Sequence, residues 1–253
     1  LALSHDEFPF DDNRKPNAAN AVLGVMAAED SDGKAYVVFS HRDGMSVKAV
    51  GDTSFHSYGI GSGLAGPVVR GMASNGDTWF FATDGGLTVL SAKPGPSGQS
   101  PFDYVGNWRR IYTSAGLPSN DLTSVALTPL EVWLGTAEDG VATAHVDDLE
   151  DWAVYKKSSV TGLPSNSVSG IAYDPLQGTV IVATDRGLAV FQGGHFDVEL
   201  AGADVHAACA GTEAVAGLRT FAAADTGVYG RDDTGQWSRV VADPAVANAR
   251  AIT

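Results

Sequence analysis

The stretch Gly116-Leu117-Pro118-Ser119-Asn120 occurs again as Gly162-Leu163-Pro164-Ser165-Asn166, 46 residues further along the chain. Each copy is followed by an apolar run, a second apolar run that ends in threonine, and a glycine before an aliphatic residue. These segments are 122–126, 132–136 and 139–141 after the first copy, and 168–172, 180–184 and 186–188 after the second. Self-similarity at this period predicts a repeat architecture.

Weaker copies extend the pattern in both directions. A glycine followed by an apolar residue recurs at spacings of 42, 54, 47 and 40 residues, at Gly44, Gly86, Gly140, Gly187 and Gly227. The long spacing contains the Pro-, Gly- and Ser-rich segment 93–101, which we interpret as a loop inserted between strands. The sequence therefore predicts five repeats, at about 19–58, 67–113, 121–157, 167–200 and 204–242.

Each repeat contains four short runs of β-favouring residues separated by tight turns. In the fourth repeat the runs are 167–173, 178–183, 188–192 and 195–200, and glycine, proline and asparagine occupy the turns between them. Four strands every 40 to 50 residues predict the blade of a β-propeller. We therefore predict an all-β propeller of four-stranded antiparallel blades in one domain, 1–253. Five blades are favoured and six are the alternative.

The two ends of the chain are predicted to close the ring of blades, because an open sheet edge invites aggregation. Residues 4–10 are expected to supply an outer strand and residues 248–253 an inner one. Small or β-branched residues should line the innermost strands, among them Val125, Ala126, Ile171, Ala172, Ala207 and Ala208. Leu117 and Leu163 of the duplicated phrase should be buried.

The phrase Gly-Leu-Pro-Ser-Asn, with the strands and the Gly-Leu turn that follow it, resembles the propeller repeat of two-component regulators. Residues 116–191 carry the pattern most clearly, and residues 75–87 carry it more loosely. The resemblance implies a β-propeller of a periplasmic or secreted sensor region. An immunoglobulin-like module, a membrane span and a kinase usually accompany such repeats, and the sequence contains none of them.

Composition restricts the classes of partner. A net charge of −14 disfavours nucleic acid and anionic membrane surfaces, and it is compatible with cationic partners. No run approaches the ~20 apolar residues of a membrane helix. The single cysteine, Cys209, excludes an internal disulfide and lies in an apolar run, where it is expected to be buried. The start at Leu1 suits a processed protein, so we expect a periplasmic or extracellular location.

Candidate ligand-binding residues lie where innermost strands begin, around the expected channel mouth. They are Arg70, Asp121, Asp204, His206 and Arg250, with His41 and Asp185 on neighbouring turns. An arginine would orient an anionic group, while the acids and histidines would hold a cation or hydroxyl groups. The set lacks the paired acids of a glycosidase and no catalytic motif is present, so we expect binding rather than catalysis.

Acidic residues also recur in the turn after each second strand, at Asp43, Asp84, Asp139, Asp185 and Asp225. The simpler interpretation is that each accepts hydrogen bonds from its own turn, and the functional one is a cation-attracting face. Segment 28–34 resembles the start of a calcium loop but lacks the closing acid, so we predict a hairpin turn. Cofactor and metal content are left open, with a bound divalent cation as one alternative.

The tryptophans fall into two groups by repeat position. Trp79 and Trp133 share a second-strand position and are predicted to lie in the core. Trp108, Trp152 and Trp237 lie on fourth strands, where an exposed rim could bind a partner. The leading hypothesis is an exported, non-catalytic sensory or interaction module that binds a small molecule or a protein. The alternatives are a channel-mouth lyase or hydrolase and a structural subunit of a larger assembly.

Overall fold

The computed structural model describes residues 21–215 and 218–241, except for the side chains of 212–215 and 219. The described residues fall into two compact units, which meet in the sequence between Leu122 and Thr123. Their regular structure consists of twenty strands in five antiparallel sheets, with four short 3₁₀ turns as the only helical segments of the described part. The all-β prediction is confirmed.

The first unit contains two four-stranded sheets, each with its strands in sequence order. The first sheet comprises β1 (Gly24–Glu29), β2 (Ala35–His41), β3 (Gly44–Ala49) and β4 (His56–Tyr58). The second comprises β5 (Val69–Ser74), β6 (Thr78–Thr83), β7 (Gly86–Ser91) and β8 (Trp108–Ile111).

The second unit contains three sheets of the same construction. The third sheet comprises β9 (Leu122–Leu127), β10 (Glu131–Thr136), β11 (Val141–His145) and β12 (Asp148–Tyr155). The fourth comprises β13 (Val168–Asp174), β14 (Thr179–Thr184), β15 (Gly187–Gln192) and β16 (His195–Glu199). The fifth comprises β17 (Val205–Val215), β18 (Leu218–Ala224), β19 (Gly227–Asp232) and β20 (Trp237–Val241).

These sheets are the five four-stranded antiparallel blades of a β-propeller, and they are called blades 1 to 5 in chain order. The favoured blade number is thereby confirmed, and the strands predicted for the fourth repeat agree with β13–β16 to within one residue at each end. The segments predicted to close the ring, 4–10 and 248–253, lie outside the described residues.

Large aromatic side chains fill the core of each unit. Trp79 and Trp133, which share a repeat position, are almost completely buried, as predicted. Trp79 packs with Tyr36 and Phe102 in the first unit, whereas the Trp133 ring lies parallel to Tyr155 at 6.0 Å in the second. Burial of such rings stabilises the blades.

The recurring glycine has the same conformation in all five blades. Gly44, Gly86, Gly140, Gly187 and Gly227 have φ values of 120°, 135°, 82°, 135° and 137°. In blades 1, 2, 3 and 5 a β-carbon there would collide with a carbonyl oxygen at the end of the fourth strand or just beyond it. Positive φ and this close approach together explain why the repeat requires glycine.

The duplicated phrase makes the same hydrogen bonds in both copies. Asn120 Oδ1 accepts from the Thr113 amide at 2.8 Å, and Asn166 Oδ1 accepts from the Lys157 amide at 2.7 Å. Leu117 and Leu163 are buried, with 4% and 3% of their surface exposed, which confirms the prediction. The phrase therefore ties the preceding connection to the start of the next innermost strand.

All six residues that were predicted to lie on innermost strands do so, although they are not equally buried. Val125, Ala126 and Ile171 are buried, while Ala172, Ala207 and Ala208 are half-buried.

The inserted segment departs from a simple surface loop. Two 3₁₀ turns, Pro96–Gly98 and Pro101–Asp103, shape it, and Phe102 is only 2% exposed. Its ring packs against Tyr36, Tyr58 and Trp79. The insertion therefore contributes a core residue to the first unit, which its Pro- and Gly-rich composition did not predict.

Candidate functional site

Arg70 and Asp121, two of the predicted site residues, form an ion pair. Arg70 is the second residue of β5, and Asp121 directly precedes β9. Arg70 Nη1 donates to Asp121 Oδ1 and to the backbone carbonyl of Leu122, the latter at 3.1 Å. Both side chains are accessible, at 34% and 50% exposure, so solvent screening limits the stability gained. The pair holds the guanidinium in one orientation at the strand entry.

Asp204 and His206 form the second predicted pair. His206 Nδ1 lies 3.7 Å from Asp204 Oδ1, which is an ion-pair distance when the imidazole is protonated and longer than a hydrogen bond. His206 is the second residue of β17 and its side chain is 22% exposed, whereas Asp204 is half exposed. This pair belongs to the second unit, whereas Arg70 and Asp121 belong to the first.

His41 lies at the end of β2 and is partly buried. Its Nε2 is 3.1 Å from Ser46 Oγ, while the buried Nδ1 atom has no hydrogen-bond partner among the described residues. Burial lowers the pKa of His41, and the nearby Asp43 carboxylate opposes that shift. Since burial disfavours the charged form, the imidazole acts as a neutral donor or acceptor near neutral pH.

The remaining predicted ligand-binding residues are Asp185 and Arg250. Asp185 is exposed in the turn between β14 and β15, at the same edge of blade 4 as the entry of β13. Arg250 lies outside the described residues. The structure thus joins Arg70 with Asp121 and Asp204 with His206, and it gives Asp185 no side-chain hydrogen bond to another described residue.

The acidic residues of the second-strand turns do not all bond within their own turns, as the simpler interpretation expected. Asp84 Oδ1 accepts from the amide of Val68, which precedes β5, at 3.0 Å. Asp139 Oδ1 accepts from Lys156 Nζ at 2.7 Å, and Lys156 follows the fourth strand of that blade. These two carboxylates connect their turns to neighbouring segments instead.

In blades 2, 3 and 4 the hydroxyl that shapes this turn belongs to a threonine, whose role in the turn the sequence analysis did not predict. Thr83, Thr136 and Thr184 end β6, β10 and β14 and are fully buried. Each Oγ1 donates to the carbonyl of the turn glycine at 2.7–2.8 Å and accepts an amide from the turn. Threonine at the same repeat position was the signal that could have revealed them.

The segment that resembled a calcium loop is a hairpin turn, as predicted. The buried Asp30 accepts the amides of Asp32 and Lys34 through Oδ1 and the hydroxyl of Tyr36 through Oδ2. Its oxygens are therefore engaged by protein donors. In the part of the chain that the structure describes, no group of three or more His, Cys, Asp or Glu side chains is arranged to hold a metal ion.

The fourth-strand tryptophans do not form an exposed aromatic rim, which corrects that alternative. Trp152 is buried and donates to the Leu149 carbonyl at 2.9 Å. Trp108 packs against the core of the first unit and donates to the Phe102 carbonyl at 3.1 Å. Trp237 donates to Glu199, whose carboxylate also binds Arg231. Each indole N–H is satisfied internally because these rings close the outer edges of the blades.

The sequence matches no protein-family model and no curated protein sequence. Solved structures do resemble the fold. The extracellular domain of the one-component system BT4673 from B. thetaiotaomicron has a TM-score of 0.67 at 16% identity, covering 89% of this chain and 28% of that one. The extracellular domain of the hybrid two-component system BT3049 from the same organism has 0.64 at 16%, covering 86% and 30%.

A third similar structure is YCF48 bound to D1 peptide, with a TM-score of 0.55 at 12% identity, covering 93% of this chain and 73% of that one. At these identities the likeness establishes the propeller fold. The propeller fold expected from the duplicated phrase is confirmed, because the two extracellular domains share it. This chain spans less than a third of the length of those two proteins. None of the helices within residues 21–215 and 218–241 is long and apolar enough to cross a membrane.

Proposed function

We propose that this chain is a non-catalytic binding module of an exported sensory or interaction protein. Its fold is shared with extracellular domains of one-component and hybrid two-component systems, which supports both the sensory role and a periplasmic or extracellular location. Rigid blades suit such a role because they hold loop and strand-entry side chains in fixed positions for a ligand.

The observation that carries the proposal is the orientation of Arg70. Only Nη1 donates to Asp121 and Leu122, and Nε and Nη2 donate no hydrogen bond to another described residue. A guanidinium fixed by one nitrogen, with other donors available, is suited to bind a carboxylate or phosphate in two-point geometry. The proposed ligand contacts are the strand-entry residues together with two residues on neighbouring turns: Arg70, Asp121 and His41 in the first unit, Asp185, Asp204 and His206 in the second, and Arg250.

A protein segment is the second class of ligand that we propose for this module. YCF48, which has a similar fold, is bound to D1 peptide in its structure. A peptide could present an acidic side chain or a terminal carboxylate to Arg70, and the chemistry at the guanidinium would be the same.

The test is a thermal-shift screen of the purified chain with small carboxylates, hydroxy acids, phosphates and acidic peptides, followed by calorimetric titration of each hit. We expect Arg70→Gln to weaken binding of an anionic ligand about tenfold or more, as loss of a charge-assisted hydrogen bond does. Arg109→Gln, on the outer strand β8, is the matched control and should bind normally. Anionic hits that bind equally well to wild type and Arg70→Gln would overturn the assignment of Arg70.

A further inference from the structure

A polar cavity of about 180 Å³ lies within the first unit, away from the strand-entry residues. Blade 1 and the inserted segment form its walls, and its lining includes Lys34, Tyr36, Asp52, Tyr58, Ser100 and Asp103. A second cleft, of about 140 Å³, adjoins Lys34, Tyr36 and Ser100. The insertion that lengthens the second repeat therefore builds one wall of a cavity, and insertions in repeat proteins often carry binding surfaces.

Hydrogen bonding inside the cavity leaves carboxylate oxygen available to a ligand, and the donors Lys34, His56 and Ser100 also line it. Tyr58 donates to Asp103 Oδ1 at 2.7 Å, and Tyr36 donates to Asp30 Oδ2 at 3.0 Å. Burial raises the pKa of Tyr36 to about 12 and also raises that of Tyr58, so both hydroxyl protons stay in place near neutral pH. Asp103 Oδ2 accepts no hydrogen bond from another described residue, and the Asp52 carboxylate has Lys34 as its ion-pair partner at 3.9 Å.

The surroundings of Lys34 show that this side of the cavity already accommodates an ammonium group. Its ammonium lies 5.6 Å from the centre of the Tyr36 ring and 3.9 Å from Asp52. A carboxylate beside an aromatic face is a favourable environment for an ammonium group. Lys34 is itself half exposed and reaches the cavity from its edge.

We propose that this cavity binds the alkylammonium group of a small amine or of a lysine side chain in a partner. The ammonium donates to Asp103 Oδ2 and to Asp52, and the alkyl stem lies against Tyr58. The chain's net charge of −14 raises the local concentration of such cations. If this amine-binding proposal fails, the proposed anion site at Arg70 is unaffected. The two proposed sites use different residues and bind ligands of opposite charge.

The experiment is calorimetric titration of the chain with 1,5-diaminopentane and, separately, with an Nα-acetyl-lysine amide. We expect saturable binding that Asp103→Asn and Asp52→Asn each weaken about tenfold or more, since each removes a charge-assisted hydrogen bond. Asp147→Asn, at a side chain that is 88% exposed in the second unit, removes the same charge and should bind like wild type.

A variant that is expected to strengthen binding distinguishes a specific effect from loss of folding, because an unfolded protein would not bind more tightly. Lys34→Met removes the internal cation beside Asp52 and should strengthen amine binding severalfold. Binding of the lysine amide without the diamine would identify a protein side chain as the ligand's source, and binding of the diamine would identify a free amine. The proposal is wrong if neither probe binds, if Asp147→Asn weakens binding as much as Asp103→Asn, or if Lys34→Met has no effect.

Discussion

Phe102 stacks on Trp79, with ring centroids 4.7 Å apart and an interplanar angle of 27°. One ring comes from an inserted segment and the other from a repeat position of blade 2. Because both are buried, a segment that the repeat pattern marks as an addition is part of the folded core.

Replacing Phe102 with alanine should therefore destabilise the protein. We expect the free energy of unfolding to fall by about 3–5 kcal/mol, as for other buried aromatic truncations. Denaturant titration followed by tryptophan fluorescence measures the loss. Val105→Ala in the same segment, at a residue that is 79% exposed, is the control and should change stability by less than about 0.5 kcal/mol. Equal effects of the two substitutions would contradict a core role for the insertion.

Leu163 tests the role of the duplicated phrase. It packs in a buried cluster with Trp133 and Ile171, so Leu163→Ala should cost roughly 2–4 kcal/mol through lost contacts and a residual cavity. Leu176→Ala, at a residue that is 53% exposed, supplies the comparison. A cost below about 0.5 kcal/mol for Leu163→Ala would mean that the phrase is not structural.

The recurring glycine gives a prediction that separates backbone strain from steric collision. Gly140 and Gly178 both have positive φ, but only at Gly140 would a β-carbon meet a carbonyl oxygen, that of Tyr155. Gly178→Ala should cost about 1–2 kcal/mol from strain alone, and Gly140→Ala about 2–5 kcal/mol because overpacking adds to it. Thermal or denaturant unfolding of the two variants measures the difference, and equal costs would refute the steric explanation.

The buried tyrosines make stability depend on pH in the alkaline range. The folded-state pKa of Tyr36, about 12, exceeds the ordinary value of 10.0, and that of Tyr58 is raised as well. A raised folded pKa contributes stability that is complete below about pH 10 and is lost as the pH rises toward 12. We expect the free energy of unfolding to fall over that window.

The Tyr36→Phe, Tyr58→Phe double variant should show a shallower decline in the same window, because it lacks the two hydroxyl groups whose raised pKa values are expected to cause the decline. Tyrosinate absorbance during alkaline titration provides an independent readout: in wild type, Tyr36 and Tyr58 should ionise above the ordinary tyrosine pKa of 10.0. If all seven tyrosines ionise together near pH 10 while the protein is folded, the burial argument fails.

The repeat pattern predicted the fold because the same turn forms once in each of the five blades, so the residues that form it recur along the sequence. The glycines at 44, 86, 140, 187 and 227 could be recognised by their recurrence, and their shared positive φ explains it. Phe102 could not be predicted in the same way, because it occurs once, in an insertion without a counterpart in the other repeats. Threonine is also a common strand residue, so the turn-shaping role of Thr83 and its equivalents was hidden within the strand pattern.

For the candidate site, sequence position selected both partners of the Arg70–Asp121 pair but did not predict that they would bind each other. The two residues are 51 positions apart, and their contact depends on how the segment that contains Asp121 folds back to the entry of β5 within the first unit. The cavity that we propose to bind an amine was not predicted from the sequence, for a similar reason. Its walls come from strand and turn residues of blade 1 and from the insertion, and only the folded chain brings Asp52 and Asp103 to the same space.

The threonine hydroxyls beneath the second-strand turns have a consequence for engineering. In blade 4 the shape of the turn is set from below by Thr184, while Asp185 and Arg186 at its tip face solvent. A library that randomises these two tip positions and retains Thr184 and Gly187 should keep the backbone of the hairpin. The blade would then serve as a scaffold on which new recognition surfaces can be selected without redesigning its core.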